Sequence, residues 1–305
     1  MPDAPWLKPV PLPWGAGYHE AMERKLTSPT VLRELLARHG VRLRKELGQH
    51  FLADGNILAK IVELAQPQRE ETAVEVGAGA GTLTCALAPH VRELVAVEID
   101  RRMLPLLAKT TSSFPNVRLV HADFRDLPLR SLGERLLVVG NLPYGITSDV
   151  LLKLIREREA VGRAVLMVQA EVGEKLVAPP GRGTSRLGVH LRAYYDVEFA
   201  RRVPRNVFFP PPEVDSALIR LRRLPQPRIT APERAFEETL ALLFSGRRKT
   251  LRRALLGRLA AGEVDRILAE VGLEPRVRGE TLPLDQLDAI ARTLQDTAPP
   301  AEEHR

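Results

Sequence analysis

Between residues 72 and 169 the chain repeats one pattern of apolar positions five times. TAVEVG (72–77), LVAVEID (94–100), VRLVHAD (117–123), RLLVVGN (135–141) and RAVLMVQ (163–169) are short, β-branched and almost continuously apolar. Segments with helical spacing fill most of the gaps. Strands apolar on both faces need cover on both faces, and interleaved helices supply it, so the pattern predicts a parallel sheet in an α/β layer. Upstream, SPTVLRELLARH (28–39) opens with Ser at an N-cap position and Pro at the first helical position. GNILAKIVELA, from residue 55, is apolar at helical spacing; both segments predict helices. YYDVEFARRV and SALIRLRRL bracket prolines 210 to 212 and are expected as late strands of the same sheet.

After Pro225 and Pro227 the period changes. PERAFEETLALLF, RRKTLRRALLGRLA, AGEVDRILAEVG and PLDQLDAIARTL are all helix-like. The expected organisation is an extension over 1–40 with a short helix, an α/β domain over 41–225, a small all-helical domain over 228–295 and a solvated tail over 296–305.

Composition narrows the classes. The 305 residues allow two domains, and a 44% hydrophobic content allows a sizeable core. No apolar run approaches the ~20 residues of a membrane span, and no signal-peptide pattern opens the chain. Cys85 is the only cysteine, which excludes a disulfide framework and fits a reducing cytoplasm; it is expected as a small packed residue. The histidines lack metal-ligand spacing, so no metal is expected. The net charge of +7 suits a polyanionic partner without proving one.

The ends of the apolar runs carry the chemistry. VEVGAGAGTLT (74–84) places Gly77, Gly79 and Gly81 after the first strand, where the backbone can approach a ligand. The spacing is G-x-G-x-G with Thr82 in place of a last glycine, so it is not a dinucleotide fingerprint and offers no obvious diphosphate cradle. Glu98 ends the second strand 21 residues after Gly77, where an acid can accept from both ribose hydroxyls of a nucleoside. Asp123 ends the third run; it can accept from an adenine amino group or cap a helix. Together these strand ends suit S-adenosylmethionine, which offers adenine, ribose and a sulfonium but no phosphate.

The tetrapeptide NLPY (141–144) closes the fourth strand. An adenine amine is a poor nucleophile because its lone pair is delocalised into the ring. Acceptors at the side-chain oxygen of Asn141 and the carbonyl of Leu142 would favour a pyramidal nitrogen. Pro143 stiffens the turn, and Tyr144 offers a face on which a flipped base can stack.

These motifs, in this order, resemble the ribosomal RNA small-subunit adenine N6-dimethyltransferase family over roughly residues 42 to 294. LGQHFLAD (47–54), EVGAGAGTLT, VAVEID, HADFRDL and GNLPYGITS carry the likeness, followed by RLGVHLRAYYDV (186–197), NVFFPPPEVDSALIRL (206–221) and RRKTLRRAL (247–255). The resemblance implies a Rossmann-like class I methyltransferase sheet of seven strands with a helical C-terminal domain. It implies donor contacts at Gln49, His50, Leu52, Gly77, Gly79, Glu98, Ile99, Asp123, Phe124 and Asn141, and a target adenine held between Tyr144 and Phe208. The implied substrate is two adjacent adenines near the 3′ end of 16S rRNA in a pre-30S particle, methylated by a cytoplasmic monomer. Gly145 stands where the family usually has a second asparagine, Ala78 where proline is common, and the first 40 residues exceed the usual leader.

Residues 247–258 hold six basic residues and no acid. With a polyanion implied, Arg247, Arg248, Lys249, Arg252 and Arg253 are expected to face RNA, as are Arg182 and Arg186 in PPGRGTSR (179–186). Arg248 and Arg252 are expected on one helix face, with Lys249 and Arg253 alongside and Leu251 and Leu255 turned inward. The same scaffold also serves large-subunit rRNA adenine methyltransferases of the macrolide-resistance type, and a non-catalytic RNA-binding assembly or transcription factor is a further alternative. PPPEVDSA and the basic helical domain favour the small-subunit enzyme. The intact Asn141, Glu98 and Asp123 argue against lost catalysis.

Overall fold

Two-residue strands β1 (Phe51–Leu52) and β8 (Phe208–Phe209) pair antiparallel with each other, apart from the main sheet, in a computed structural model that describes residues 26–44, 48–181, 183–246 and 249–297. The five apolar runs form β2 (Thr72–Val76), β3 (Glu93–Glu98), β4 (Val117–His121), β5 (Leu136–Asn141) and β6 (Val161–Gln169). With β7 (Tyr195–Val203) and β9 (Ser216–Arg223) they build a seven-stranded sheet in the order β4-β3-β2-β5-β6-β9-β7. The pairs β2–β3, β3–β4, β2–β5 and β5–β6 are parallel, and β9 runs antiparallel to β6. Val74 lies between Val95 and Val138.

Helix α1 (Pro29–Arg38) begins where Pro29 presets the first turn. Ser28 holds the N-cap backbone position, but its side chain makes no capping bond. Helix α2 (Gly55–Ala65) is capped by Asp54, whose side chain accepts from Ile57 N, and ends at Gln66 in the left-handed conformation. Its buried stripe of Ile57, Leu58, Ile61 and Leu64 packs with Leu87 of α3 (Thr82–Leu87) and with Leu94, Leu137 and Val139 of the strands. The run from Leu136 to Val139 is fully buried, which explains why its sequence does not alternate. Truncating Leu137 to Ala would cost about 2–5 kcal/mol. Helices α4 (Leu104–Thr110) and α5 (Thr147–Arg156) continue the strand–helix alternation.

The chain divides into two compact units. The first comprises residues up to 173 and 197–223; the second comprises 174–196 and the residues from 224 onward. Helix α6 (Ala170–Val177) spans the first boundary. The second unit holds α7 (Arg186–Tyr194), α8 (Glu233–Leu243), α9 (Leu251–Leu255), α10 (Ala261–Val271) and α11 (Leu284–Thr297). Phe236, Leu240, Leu251, Leu255, Ile267, Leu287 and Ile290 are among its buried side chains. The buried Asp288 carboxylate accepts from Thr230 N, Thr230 Oγ1 and Ala231 N, which ties α11 to the segment before α8.

Two expectations change. Among the described residues of the basic run, the helix is α9 alone, because Thr250 caps it by accepting from Arg253 N and a turn follows Leu255. Lys249 therefore precedes the helix instead of sharing its face. The run expected to end at Asp123 leaves the sheet at His121, and Asp123 caps the turn Phe124–Asp126. Arg182, Arg247 and Arg248 lie outside the described residues, as do residues 1–25 of the expected extension and 298–305 of the expected tail.

Candidate active site

Parallel strands aim their carboxyl ends at one rim, and the strand order reverses between β2 and β5. Open α/β sheets bind ligands at that place. Here the rim forms a cavity of about 840 Å³, lined by Gly77 and Gly79 after β2, Glu98 at the end of β3 and Ile99 after it, Asp123 after β4, Asn141 at the end of β5 and Gln169 at the end of β6. All of these residues belong to the first unit.

Gly79 and Gly81 are glycines of necessity. Their φ angles are +55° and +87°. A Cβ would stand 3.0 Å from the Phe51 ring at Gly79 and 2.7 Å from Thr110 Oγ1 at Gly81. Four of the loop's N–H groups are bonded within the protein. Gly77 N and Ala78 N donate to Val97 O at 2.9 and 3.0 Å, and Gly81 N donates to Ala78 O at 2.9 Å. Gly79 N donates to Glu98 Oε2 at 2.8 Å. A carboxylate thus sits where a phosphate-binding loop would offer its donors to the ligand.

Glu98 is buried, and Oε1 accepts from Asp100 N at 2.8 Å. Burial raises its pKa, opposed by these backbone N–H groups. Each oxygen keeps a further acceptor direction. Glu75, an acid inside an otherwise apolar strand, also lines the cavity and accepts from Thr84 Oγ1 at 2.6 Å. Burial, with the charge of Glu98 adding to it, pushes Glu75 up to about 8, so it is mostly protonated at neutral pH. Ile99 is 48% exposed and presents an apolar face to the cavity. Phe124 and Leu52 also line the cavity, though both are buried.

Asp123 is gripped by Arg125, whose Nε lies 3.0 Å from both carboxylate oxygens and whose Nη2 lies 2.6 Å from Oδ2. That pairing holds the Asp123 carboxyl below its usual range. Arg125 Nη1 reaches Asp149 at 3.2 Å.

Asn141 Nδ2 donates to His50 O at 2.7 Å. A carbonyl can only accept, so the amide orientation is determined and Oδ1 remains the acceptor. The His50 and Tyr144 rings stack with centroids 6.2 Å apart and planes at 30°. The Tyr144 hydroxyl bonds Ser216 Oγ at 3.0 Å. His50 Nδ1 donates to Pro210 O at 2.8 Å, which leaves Nε2 as the acceptor nitrogen. Pro143 and Gly145 line the cavity.

Leu142 is 2% exposed and is not among the cavity's lining residues, and its N–H donates to Met167 O at 3.1 Å. Phe208 does not face Tyr144. Pairing of β1 with β8 sets it against Leu52, and it is 4% exposed within the core. The chain returns to the cavity after Phe208, at Pro210, Pro211, Glu213 and Val214, and the ring stacked on Tyr144 is His50. Gln49 lines the cavity, but both ends of its amide are committed: Oε1 accepts from Arg44 N, and Nε2 donates to Asp100 Oδ2, each at 3.0 Å. The roles of Glu75, Asp100, Arg125 and Pro210 went unread in the sequence. A lone acid within TAVEV was the one visible signal among them.

In the second unit, Arg252 pairs with Asp265 at 3.0 Å and Arg258 with Glu238 at 2.9 Å. The run lacks acids in sequence, but α8 and α10 supply them. Lys249, Arg253 and Arg186 are exposed, and among the described residues no carboxylate pairs with them. A second cavity, of about 240 Å³, is lined by Lys175, Arg186, Lys249 and Arg278 with one acid, Glu280.

Residues 40–296 match the family model described as ribosomal RNA adenine dimethylase. Proteins named ribosomal RNA small subunit methyltransferase A are similar along most of the chain. That of Geobacillus sp. (strain WCH70) is 38% identical over 288 residues, 90% of this chain and 99% of that protein. That of Geobacillus thermodenitrificans (strain NG80-2) is 39% identical over 90% of this chain and 98% of that protein. Among solved structures, a dimethyladenosine transferase from Plasmodium falciparum superposes with a TM-score of 0.69 at 25% identity, covering 79% of this chain and 95% of that one. The 23S rRNA methyltransferase ErmE superposes at 0.65 with 30% identity, covering 80% and 99%.

Proposed function

The chain belongs to the ribosomal RNA adenine dimethylase family, and from that premise we propose that it methylates N6 of two adjacent adenines near the 3′ end of 16S rRNA in a pre-30S particle, with S-adenosylmethionine as donor. The cavity fits such a donor. Its glycine loop is closed to phosphate by Glu98, and the two acids at the sheet's rim, Glu98 and Asp123, suit a cationic nucleoside. Glu98 would take the ribose hydroxyls, Ile99 a face of the adenine and Asp123 its amino group. Gly77, Gly79, His50 and Leu52 would complete the wall. When bound, the donor supplies a methyl group already activated on a sulfonium.

The chain's own residues then act on the acceptor. Asn141 Oδ1 and the Leu142 carbonyl receive hydrogens of the target amine and favour a nitrogen whose lone pair is free to attack. Tyr144 stacks on the flipped base, with His50 already beside it. A strong general base is not required, since the amine loses its proton only as its nitrogen becomes cationic. The rRNA is held in part by Arg186, Lys249 and Arg253, the exposed cations of the helical unit, in a cytoplasmic assembly step.

The observation that carries this reading is the Asn141 amide, held by His50 O beside the cavity that Glu98 lines. The test is transfer from labelled S-adenosylmethionine to under-methylated small subunits, followed by mapping of the modified bases. Absence of label, or label only in large subunits, would overturn it. The likeness to ErmE favours the second reading, a large-subunit methyltransferase, which macrolide resistance on expression would reveal.

A further inference from the structure

Three hydrogen bonds link the acid that ends β3 to the amide that ends β5 through the 49–50 backbone, and a fourth anchors Gln49. Glu98 Oε1 accepts from Asp100 N at 2.8 Å. Asp100 Oδ2 accepts from Gln49 Nε2 at 3.0 Å. Gln49 Oε1 accepts from Arg44 N at 3.0 Å. One residue further along, His50 O accepts from Asn141 Nδ2 at 2.7 Å. Arg102 reinforces the same junction: its Nε lies 2.8 Å from Asp100 Oδ1, and its Nη1 donates to Arg42 O at 3.2 Å. Residues far apart in sequence thereby hold the 48–50 wall at defined points.

We infer that Gln49 and Asp100 are positioning residues, a latch that orients the Asn141 amide through the backbone carbonyl of His50. The inference rests on the reading of Asn141 as the group that receives the target amine. Gln49 makes one bond to the protein from each end of its amide, so its side chain is fixed at two points. The Asp100 side chain is nearly buried, and the Arg102 guanidinium holds its carboxyl down at about 2, so it remains an ionised acceptor. The consequence for chemistry follows from Asn141. Its Oδ1 faces an amine only while its NH₂ is held by His50 O. If the wall shifts, the amide can rotate and turn a donor towards the amine's own N–H groups, which repels what it should orient.

The test uses Gln49→Glu, which sets a second carboxylate against Asp100. The expected result is a fall in turnover of about tenfold or more with a donor dissociation constant changed less than about threefold, the split that marks loss of a transition-state contact. In the free protein, the Asn141 side-chain NH₂ resonances should shift and exchange faster with solvent. Gln49→Glu combined with Asp100→Asn restores a donor facing an acceptor and should recover turnover. Gln49→Leu, which introduces no charge, should show the same split if Gln49→Glu fails to fold.

Unchanged turnover in Gln49→Glu, donor affinity and turnover falling together, or a double variant no better than the single one would each overturn the latch. If the unaltered protein transfers no methyl group, the proposed function fails instead. The Asn141 resonances still decide the latch in that case: unmoved signals in Gln49→Glu would overturn it.

Discussion

The backbone N–H of Gly79 donates to Glu98 Oε2 at 2.8 Å, so the acid at the end of β3 also anchors the glycine loop at the end of β2. Two strand ends that look independent in sequence form one structural unit. The loop conformation depends on a carboxylate that is itself a candidate ligand group.

Glu98→Ala should therefore show two effects. Loss of a charged acceptor for ribose hydroxyls should weaken donor binding by about ten- to a hundredfold, or about 1.5–3 kcal/mol. Loss of the acceptor for Gly79 N and Asp100 N should lower stability by about 1–3 kcal/mol, because buried N–H groups lose their partner. Calorimetry with the donor and thermal unfolding measure the two separately. Normal affinity in a destabilised variant would make Glu98 purely a loop anchor.

Asn141→Ala should reduce turnover by at least about a hundredfold at saturating donor while rRNA affinity stays within a few fold, since the contact belongs to the transition state. Asn141→Asp should fare little better. It keeps an acceptor but sets a carboxylate against His50 O, where the amide had donated. Tyr144→Ala should instead raise the rRNA concentration needed for half-maximal rate. Single-turnover assays distinguish these, and near-normal turnover in Asn141→Ala would refute the mechanism.

Glu75 predicts a dependence of stability on pH. Its folded pKa is raised from 4.5 to about 8. Between those values the folded state keeps a proton that the unfolded state has lost, so stability falls as pH rises through this window. The penalty is absent below about 4.5 and complete above about 8. Glu75→Gln keeps an acceptor for Thr84 and removes the titration. Its stability gain over the unaltered chain should grow from pH 5 towards pH 8.5, reaching the order of a few kcal/mol. Denaturant titrations across that range check it; a difference that does not change with pH would mean Glu75 keeps an ordinary pKa.

Salt dependence should single out particular cations. Lys249→Gln and Arg253→Gln should each flatten the log–log dependence of small-subunit binding on salt by about 0.7–0.9. Arg252→Gln should change it less, because Asp265 already offsets that charge. Titrations at several salt concentrations make the comparison. Equal effects at all three positions would mean that RNA displaces Asp265.

The sequence by itself determined the sheet and the rim. Burial on both faces demands unbroken apolar runs, so the runs locate the strands. Residues that break the apolar rule at strand ends, Glu98 and Asn141, then locate the cavity they line. Helical period likewise placed α2, α8, α10 and α11, and it turned Leu251 and Leu255 inward. The tertiary structure decided which distant groups meet. The resemblance implies Phe208 as a ring against the target adenine, but β1–β8 pairing sets it against Leu52 in the core, and the ring stacked on Tyr144 is His50. Arg252 reads as a free cation until α10 brings Asp265 to it. Gln49 is implied as a donor contact, and only the fold brings Asp100, 51 residues away, to its amide. Periodicity reports which side of an element is buried, because burial is a local property of the backbone repeat. It carries no information on which side chain arrives from elsewhere, since that depends on the path of the whole chain.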